Sequence, residues 1–319
     1  MRELIYSLLL VVFLCACKKN DSSNGKWVSL TIGSDIQPNS VYAINVNIVY
    51  VVGRSALNLH GVIFKTVNGG SSWSLLPSGT TVSFNSVFFT DANTGYVAGD
   101  TGTILKTVNG GATWTTLSSG TAQLNSINFP DANTGYVVGQ SGTILKTVNG
   151  GTSWTPLTSG TTAQLTSVYF TDVDTGYVAG YGGTVLKTSN GGNTWTALST
   201  GTNSQLNSVC FPSASTGYVG GAGGTILKTT NRGATWTHLS PGTDNYFNSL
   251  YFNNVNTGYG VGGNSSGAIL FKTTNGGSTW SSLSTGAASY LSSISFSDSN
   301  HGYVVGNSVT NGIVLKWSE

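Results

Sequence analysis

The side chains that most often carry out catalysis are sparse in this chain. Asp35, Asp100 and Asp244 flank strand-like segments, and two such carboxylates could hydrolyse a glycoside if they faced each other across it. Their spacing along the chain gives no reason to place any two of them together. Hydrolysis therefore stays an open alternative, and we assign no catalytic residue.

Metal-binding patterns are equally weak. The three histidines fall in unrelated contexts, at His60, His238 and His301. Asp91–Gly95 and Asp172–Gly176 superficially resemble the start of a calcium loop, but a strand-forming Tyr follows each and no bidentate Glu comes later. The same turn occurs without a carboxylate at Ser213–Gly217. Asx turns explain all copies, so we predict neither a metal nor a cofactor.

The elements that must position any site are seven repeats. Tryptophans recur 40 to 44 residues apart, at Trp73, Trp114, Trp154, Trp195, Trp236 and Trp280. The clearest unit, Phe84–Leu117, contains four strand-length segments rich in β-branched and aromatic residues, separated by turn residues. Four strands in about 40 residues are typical of a propeller blade. The sequence therefore predicts an all-β, seven-bladed propeller with four-stranded antiparallel blades.

The two ends of the repeat array predict how the ring closes. The last unit stops after its third strand, at Gly312–Trp317, whereas Lys26–Leu30 stands alone and matches the missing fourth strand. We expect this N-terminal strand to complete the last blade, because an unpaired edge would otherwise remain. The predicted propeller spans residues 26–319.

The turns carry a resemblance to known propellers. Thr107–Trp114 resembles the Asp-box of sialidase-type (BNR) repeats, with Asn in place of Asp in every copy, at Asn68, Asn109, Asn149, Asn190, Asn231 and Asn275. The GYVxG and GTILKT segments resemble more closely the repeats of the photosystem II assembly and stability factor-like family, which implies seven blades. Sialidases bind the substrate carboxylate with three Arg and use a Tyr/Glu pair in catalysis. Sialidase chemistry is not expected here, because the folded part has only Arg54 and Arg232, and its sole Glu is Glu319.

The N-terminus predicts a membrane anchor. Residues 1–16 resemble a lipoprotein signal peptide, with an apolar run too short to span a bilayer. Cys17 follows a small residue and is the predicted lipidation site, and residues 17–25 have the composition of a flexible tether. An ordinary cleaved signal is the alternative. The implied location is the bacterial cell envelope, on the periplasmic or outer surface.

Composition limits the partners. Only 8% of the residues are charged, the formal net charge is +2 and no basic run occurs, so we do not expect nucleic acid binding.

Cys210 is the only cysteine of the folded part and takes a strand position that other repeats fill with Phe88 or Tyr169. A buried structural thiol is the better interpretation than a nucleophile.

Specificity must come from positions that differ between repeats. These lie in the loops joining second to third strands and in the loops between blades, which share one face of a propeller. The predicted ligand- or partner-binding residues are Arg54, His60, Asp100, Gln140, Tyr181, Asp244, Tyr246 and Tyr290. We predict a monomeric, non-catalytic lipoprotein that presents this face to an envelope protein or a glycan. The alternative is a carbohydrate-active enzyme or a glycan-capture protein.

The anchor is testable. Cys17→Ala should leave the propeller folded and release it from membranes, since the acyl chains on Cys17 supply the attachment. Metabolic labelling with a fatty acid should mark the wild type and not the variant. Labelling that persists in the variant would contradict the assignment, as would wild-type protein confined to the soluble fraction.

Overall fold

We describe the protein from a computed structural model, which defines residues 26–286, 288–308 and 311–318. The predicted signal segment, Cys17 and the tether lie outside these residues. The strands in chain order are β1 (Lys26–Leu30), β2 (Ile36–Ala43), β3 (Val49–Ser55), β4 (Gly61–Thr66), β5 (Ser74–Leu76), β6 (Phe84–Phe89), β7 (Gly95–Gly99), β8 (Thr103–Thr107), β9 (Thr115–Ser118), β10 (Leu124–Asn128), β11 (Gly135–Gly139), β12 (Ile144–Thr147), β13 (Thr155–Leu157), β14 (Leu165–Phe170), β15 (Gly176–Gly180), β16 (Val185–Thr188), β17 (Thr196–Leu198), β18 (Leu206–Cys210), β19 (Gly217–Gly221), β20 (Ile226–Thr229), β21 (Thr237–Leu239), β22 (Phe247–Phe252), β23 (Gly258–Asn264), β24 (Gly267–Thr273), β25 (Ser281–Ser282), β26 (Tyr290–Phe296), β27 (Gly302–Asn307) and β28 (Gly312–Ser318). Among these residues, two 3-10 turns are the only helical segments, and no helix is long and apolar enough to cross a membrane.

The strands form seven antiparallel sheets of four strands each, which confirms the predicted seven-bladed propeller. Six sheets take consecutive strands, such as β6-β7-β8-β9. The seventh has the order β1-β28-β27-β26, with pairing from Lys26 opposite Ser318 to Leu30 opposite Val314. The N-terminal strand therefore supplies the fourth strand of the last blade, as the repeat count predicted.

The hydrophobic core lies between blades. The GYVxG second strand is fully buried in the second blade, for example, and Tyr96 stacks on Phe129 of the third blade with ring centres 4.0 Å apart. Trp154 packs edge-on against the same Phe129 at 5.9 Å. Aromatic pairs of this kind add roughly 0.5–1.5 kcal/mol each beyond the area they bury. Equivalent clusters fill all seven junctions, so each blade is stabilised mainly by its neighbours.

The first strands surround the central axis and are joined by serine side chains. Ser86 of β6 accepts a hydrogen bond at its Oγ from the backbone N–H of Ile127 in the next blade, at 3.3 Å. The same bond recurs at every junction, and its acceptors are Ser40, Ser86, Ser126, Ser167, Ser208, Ser249 and Ser293. The innermost strands therefore form a closed circle without pairing into one sheet.

A second contact between blades uses the lysine that recurs in each third strand. The Tyr96 hydroxyl and the Lys106 ammonium both donate to the backbone carbonyl of Gly150, at 2.8 and 2.6 Å. Lys106 Nζ also lies 5.7 Å from the centre of the Tyr96 ring. Burial raises the pKa of Tyr96 to about 12, so the phenol stays a donor at neutral pH. This supports the structural role that a lysine in every repeat indicates.

The carbonyl that accepts both donors belongs to the Asp-box turn of the following blade. In the copy at Thr107–Trp114, Asn109 accepts a hydrogen bond at Oδ1 from the backbone N–H of Thr113, and its Nδ2 donates to the Thr113 hydroxyl, both at 2.9 Å. The N–H of Gly111 donates to the Thr107 hydroxyl at 2.9 Å. The Asn109 side chain therefore closes its own turn from the position that Asp holds in the Asp-box pattern.

The connections define two faces. We call the Asp-box hairpins, together with the turns between first and second strands, the turn face. Backbone bonds such as Gly110 N–H to the Asn93 carbonyl, at 2.8 Å, join these two sets of turns. The loops between second and third strands, together with the loops between blades, form the loop face. They are joined in the same way, for example by Gly102 N–H to the Ala122 carbonyl at 2.8 Å.

The closing strand is testable by truncation. Trp27 packs against Trp317, Phe296 and Tyr259 with ring centres 5.5, 6.0 and 6.2 Å apart. A chain beginning at residue 31 should therefore be less stable than one beginning at residue 24, by about 3 kcal/mol for the lost Trp alone and more for the exposed edge of β28. Thermal melts of the two chains measure this, and equal melting temperatures would contradict the closure.

Candidate functional site

A β-bulge begins every first strand and sets up the candidate site. In β6 the register shifts between Phe84 and Ser86, which leaves Asn85 unpaired with β7 and free to reach the next blade. Asn85 Nδ2 donates to the Leu124 carbonyl at 2.9 Å and to Asp100 Oδ1 at 3.0 Å. The bulged residues are Asn39, Asn85, Asn125, Thr166, Asn207, Asn248 and Ser292. They place one polar side chain per blade around the axis at the loop face.

A second circle of side chains lies two residues before each bulge. Its members are Gln37, Ser83, Gln123, Gln164, Gln205, Tyr246 and Tyr290. The backbone carbonyls of this circle hold the neighbouring loops, since Ser83 accepts from the N–H of Asp100 at 3.0 Å and Gln164 accepts from the N–H of Tyr181 at 2.9 Å. We call the two circles and the four loop residues Arg54, Asp100, Gln140 and Tyr181 the channel mouth.

The structure brings six of the eight predicted site residues to the channel mouth. Arg54 Nε donates to Gln37 Oε1 at 2.7 Å, and Gln140 Nε2 donates to Gln123 Oε1 at 2.8 Å. Asp100 bonds Asn85, as described above. The other three are Tyr181, Tyr246 and Tyr290. Four loop residues from four blades therefore lie beside the circles around the axis, which supply the two remaining tyrosines.

The other two predicted residues lie away from the mouth. His60 borders a cavity with Leu75 and Pro77, next to the outermost strand of the first blade. Asp244 is exposed in the loop between the fifth and sixth blades, beside Gly224. Both belong to the loop face, and neither is part of the surface that surrounds the axis.

Three tyrosines form an aromatic side of the mouth. Tyr181, Tyr246 and Tyr290 expose 39%, 41% and 38% of their surface, which is high for residues with large apolar rings. Burial raises the pKa of Tyr290, a side-chain hydrogen bond with Asn248 lowers it, and the phenols of Tyr181 and Tyr246 raise it further. Tyr181 and Tyr246 are therefore both near enough to Tyr290 to affect its pKa, although the three residues come from three different blades.

The mouth is otherwise rich in amides and poor in charge. Arg54 and Asp100 are its only ionisable side chains apart from the tyrosines. The carboxylates considered for hydrolysis lie in separate places: Asp35 accepts a hydrogen bond from the Ser55 hydroxyl at 3.1 Å, Asp100 bonds Asn85, and Asp244 is solvent-exposed. The surface is suited to hydrogen bonding and aromatic packing more than to proton transfer.

No metal centre emerges in the residues that the structure defines, where no group of three or more His, Cys, Asp or Glu side chains could hold an ion. The suspected calcium loops are Asx turns: Asp91 Oδ1 accepts from the N–H of Asn93 and of Thr94, at 2.7 and 2.9 Å. These two bonds lower the pKa of Asp91. The carboxylate is thus occupied by its own turn, as the sequence predicted.

Toward the turn face the axis becomes aromatic. The residues three positions after each bulge include Tyr42, Phe88, Tyr169 and Tyr251, and the rings of Tyr42 and Phe88 lie 5.1 Å apart. Cys210 occupies this position in the fifth blade, is buried and has no disulfide partner. Burial raises the pKa of the Cys210 thiol to about 12, which favours the protonated thiol over the reactive thiolate.

The polar circles are not among the residues that the sequence predicts to bind. The QLNS and QLTS segments recur, and blade geometry alone can explain a recurring position. The sequence nevertheless contains a signal for them. Polar Gln123 and Asn125 flank buried Leu124, and this alternation indicates that the two polar side chains lie on the opposite face of the strand from Leu124. The bulge that turns these side chains toward the axis has no such signature.

The fold defines the chain as a closed seven-bladed propeller of four-stranded antiparallel blades, with a polar, tyrosine-containing mouth on its loop face. The family model for the photosynthesis system II assembly factor YCF48 matches residues 65–161, 117–199 and 157–244, which together cover more than half of the chain. The chain belongs to this family, which confirms the resemblance seen in the repeats. A comparison with curated proteins gave no match.

Solved structures agree on the fold. A structure described as YCF48 bound to D1 peptide is 20% identical, with a TM-score of 0.75, covering 92% of this chain and 95% of that one. YCF48 from Cyanidioschyzon merolae is 18% identical, with a TM-score of 0.73 and 92% and 98% coverage. U3-55K is 11% identical, with a TM-score of 0.74 and 92% and 98% coverage. At these identities the likeness establishes the propeller and leaves the ligand open.

The buried thiol gives a test of the packing around the axis. In a chain beginning at residue 24, where Cys210 is the only cysteine, a thiol reagent at pH 8 should react very slowly with the folded protein and fully after denaturation. A pKa of about 12 leaves roughly one thiolate in ten thousand at that pH. Thr162→Cys, on the exposed loop face, should react in the folded state. Rapid native labelling of Cys210 would contradict the structure.

Proposed function

We propose that this protein is a non-catalytic binding or assembly factor that holds a segment of a protein partner at its channel mouth. We further propose that it is tethered through lipidated Cys17 in the envelope of a Gram-negative bacterium. Membership of the YCF48 assembly-factor family supports the first part, and the description of one family structure as bound to a D1 peptide favours a protein partner.

The observation that carries the proposal is the convergence of three half-exposed tyrosines on one mouth. Tyrosine supplies a large contact area, loses little side-chain entropy on binding and keeps a polar tip for hydrogen bonds, and it is enriched among residues that dominate binding energy. Tyr246 and Tyr290 share one repeat position that the other five blades fill with Gln or Ser, and Tyr181 stands where other blades have residues such as Asp100 or Gln140, so blade packing does not require a tyrosine at either position. A role in recognition accounts for their position.

The mouth is also organised before any partner arrives. Its loops are held by backbone bonds to the circle around the axis, such as Gln140 N–H to the Gln123 carbonyl at 2.9 Å. A surface with fixed loops loses less conformational entropy on binding than a flexible one. The amide circles offer both donors and acceptors, which suits the backbone of an extended peptide.

The proposal is tested with a probe of defined chemistry. Phage-displayed random peptides are selected on the wild-type protein and the affinities of synthetic copies are measured by calorimetry. Replacing Tyr181, Tyr246 and Tyr290 together by Ala should weaken binding at least tenfold, because buried aromatic anchors often cost about 2 kcal/mol or more each. The melting temperature should hardly change, since exposed loop substitutions usually stay within about 0.5 kcal/mol.

Arg232→Ala on the turn face is the matched control and should bind the peptides like the wild type. Equal affinity in the triple variant would show that the loop face is not the binding surface. A loss confined to Arg232→Ala would place binding on the turn face. If no peptide is selected and a glycan array gives specific, tyrosine-dependent binding, the protein partner is wrong and glycan capture replaces it.

A further inference from the structure

The charges of this propeller are segregated between its two faces. The defined residues contain ten cationic side chains, and all except Arg54 lie toward the turn face: Lys26, Lys65, Lys106, Lys146, Lys187, Lys228, Arg232, Lys272 and Lys316. The turn face also carries five aspartates, Asp91, Asp131, Asp172, Asp174 and Asp298. It therefore has an excess of four positive charges.

The loop face has the opposite sign. Arg54 is its one cation, against Asp35, Asp100 and Asp244, so it has an excess of two negative charges. The formal charge of +2 for the whole chain hides this difference. A protein with opposite charges at its two ends is oriented by an anionic surface, which attracts one end and repels the other.

Apolar side chains are exposed on the positive face. Val67, Val108 and Val148 have 63%, 66% and 66% of their surface exposed, at the same position of the Asp-box turn in the first three blades. The equivalent residues in the next blades are polar, for example Ser189 and Thr230. Nothing in the turn requires an apolar residue there, because the side chain points to solvent in every copy.

The chain also enters the propeller at this face. Lys26 pairs with Ser318, two residues beyond Lys316, whose Nζ donates to the Gly69 carbonyl in the Asp-box turn of the first blade at 2.9 Å. The valine-bearing blades begin next to this entry point. Eight residues separate Cys17 from Lys26, and even fully extended they span at most roughly 30 Å. A membrane anchor at Cys17 would therefore hold the turn face near the bilayer.

We propose that the turn face is a membrane-apposed surface that fits anionic lipid, so that the channel mouth points away from the bilayer. Lys26 and Arg232 are exposed and supply charge, while the three valines supply shallow apolar contact. The third-strand lysines also contribute to the field, although six of them already donate to backbone carbonyls of the Asp-box turns: Lys65, Lys106, Lys146, Lys187, Lys228 and Lys316. The direction of the mouth rests on the proposed tether, whereas the attraction of the face to anionic lipid does not.

The attraction is measured with an unlipidated chain beginning at residue 24, by flotation with vesicles of phosphatidylcholine alone or mixed with phosphatidylglycerol. The chain should float with the anionic vesicles, less of it should do so at high salt, and it should not float with the neutral vesicles. Lys26→Glu combined with Arg232→Glu should lower partitioning by about tenfold or more, given the usual contribution per charge near an anionic surface. Arg54→Glu, the matched reversal on the loop face, should leave it unchanged.

Orientation is measured on the lipidated chain in the same vesicles. A fluorophore attached at Val108→Cys should be quenched by nitroxide headgroups, and one at Thr162→Cys on the loop face should not, while buried Cys210 takes up no label. Equal partitioning into both vesicle types, equal loss with Arg54→Glu, or stronger quenching at residue 162 would overturn the inference. If the wild-type chain carries no lipid yet the turn face still binds anionic vesicles, the tether fails and the surface assignment stands.

Discussion

One backbone carbonyl per Asp-box turn holds this ring together. In the second and third blades it is the carbonyl of Gly150, which accepts from both Tyr96 and Lys106 of the preceding blade. Each donor bond contributes about 1 kcal/mol, and somewhat more where the donor is charged. The carbonyl faces backward only because the turn residues adopt positive φ, 62° at Gly150 and 79° at Gly151. Repeated Tyr, Lys and Gly-Gly are therefore three parts of one contact.

Two junctions differ from the others in the residues at this position. Arg232 stands where the other turns have Gly, with φ of 60°, and its carbonyl still accepts from Tyr177 and Lys187. A left-handed residue with a Cβ costs roughly 1–2 kcal/mol, which the two bonds offset. The last blade has no Asp-box hairpin, and there Lys272 lies 5.5 Å from the ring centre of Trp317. This cation-π contact adds to the one that Lys272 makes with the Tyr259 ring, at 5.6 Å.

This arrangement explains what the sequence could and could not predict. Blade number, strand order and closure by residues 26–30 were predictable, because a contact that every junction needs must recur in every repeat. The mouth was only half predictable. Tyr181 and Tyr290 stood out by differing from their equivalents, whereas Asn85 and Gln123 looked like scaffold because they repeat. Only the bulge, a one-residue shift in pairing, reveals that they surround the axis. His60 showed the converse: it differs between repeats yet lies at an outer edge.

Closure by the first strand also sets the order of events during synthesis. Strand β1 leaves the ribosome before any other, yet its partner β28 is the last to emerge. Contacts this distant along the chain form slowly. The first six blades can each pair internally as they appear. Trp27 and the outer edge of β28 can make contact only after the last strand has been synthesised. A nascent chain of this protein therefore spends most of its translation as an open arc with two unsatisfied ends, the stage at which a holding chaperone would matter most.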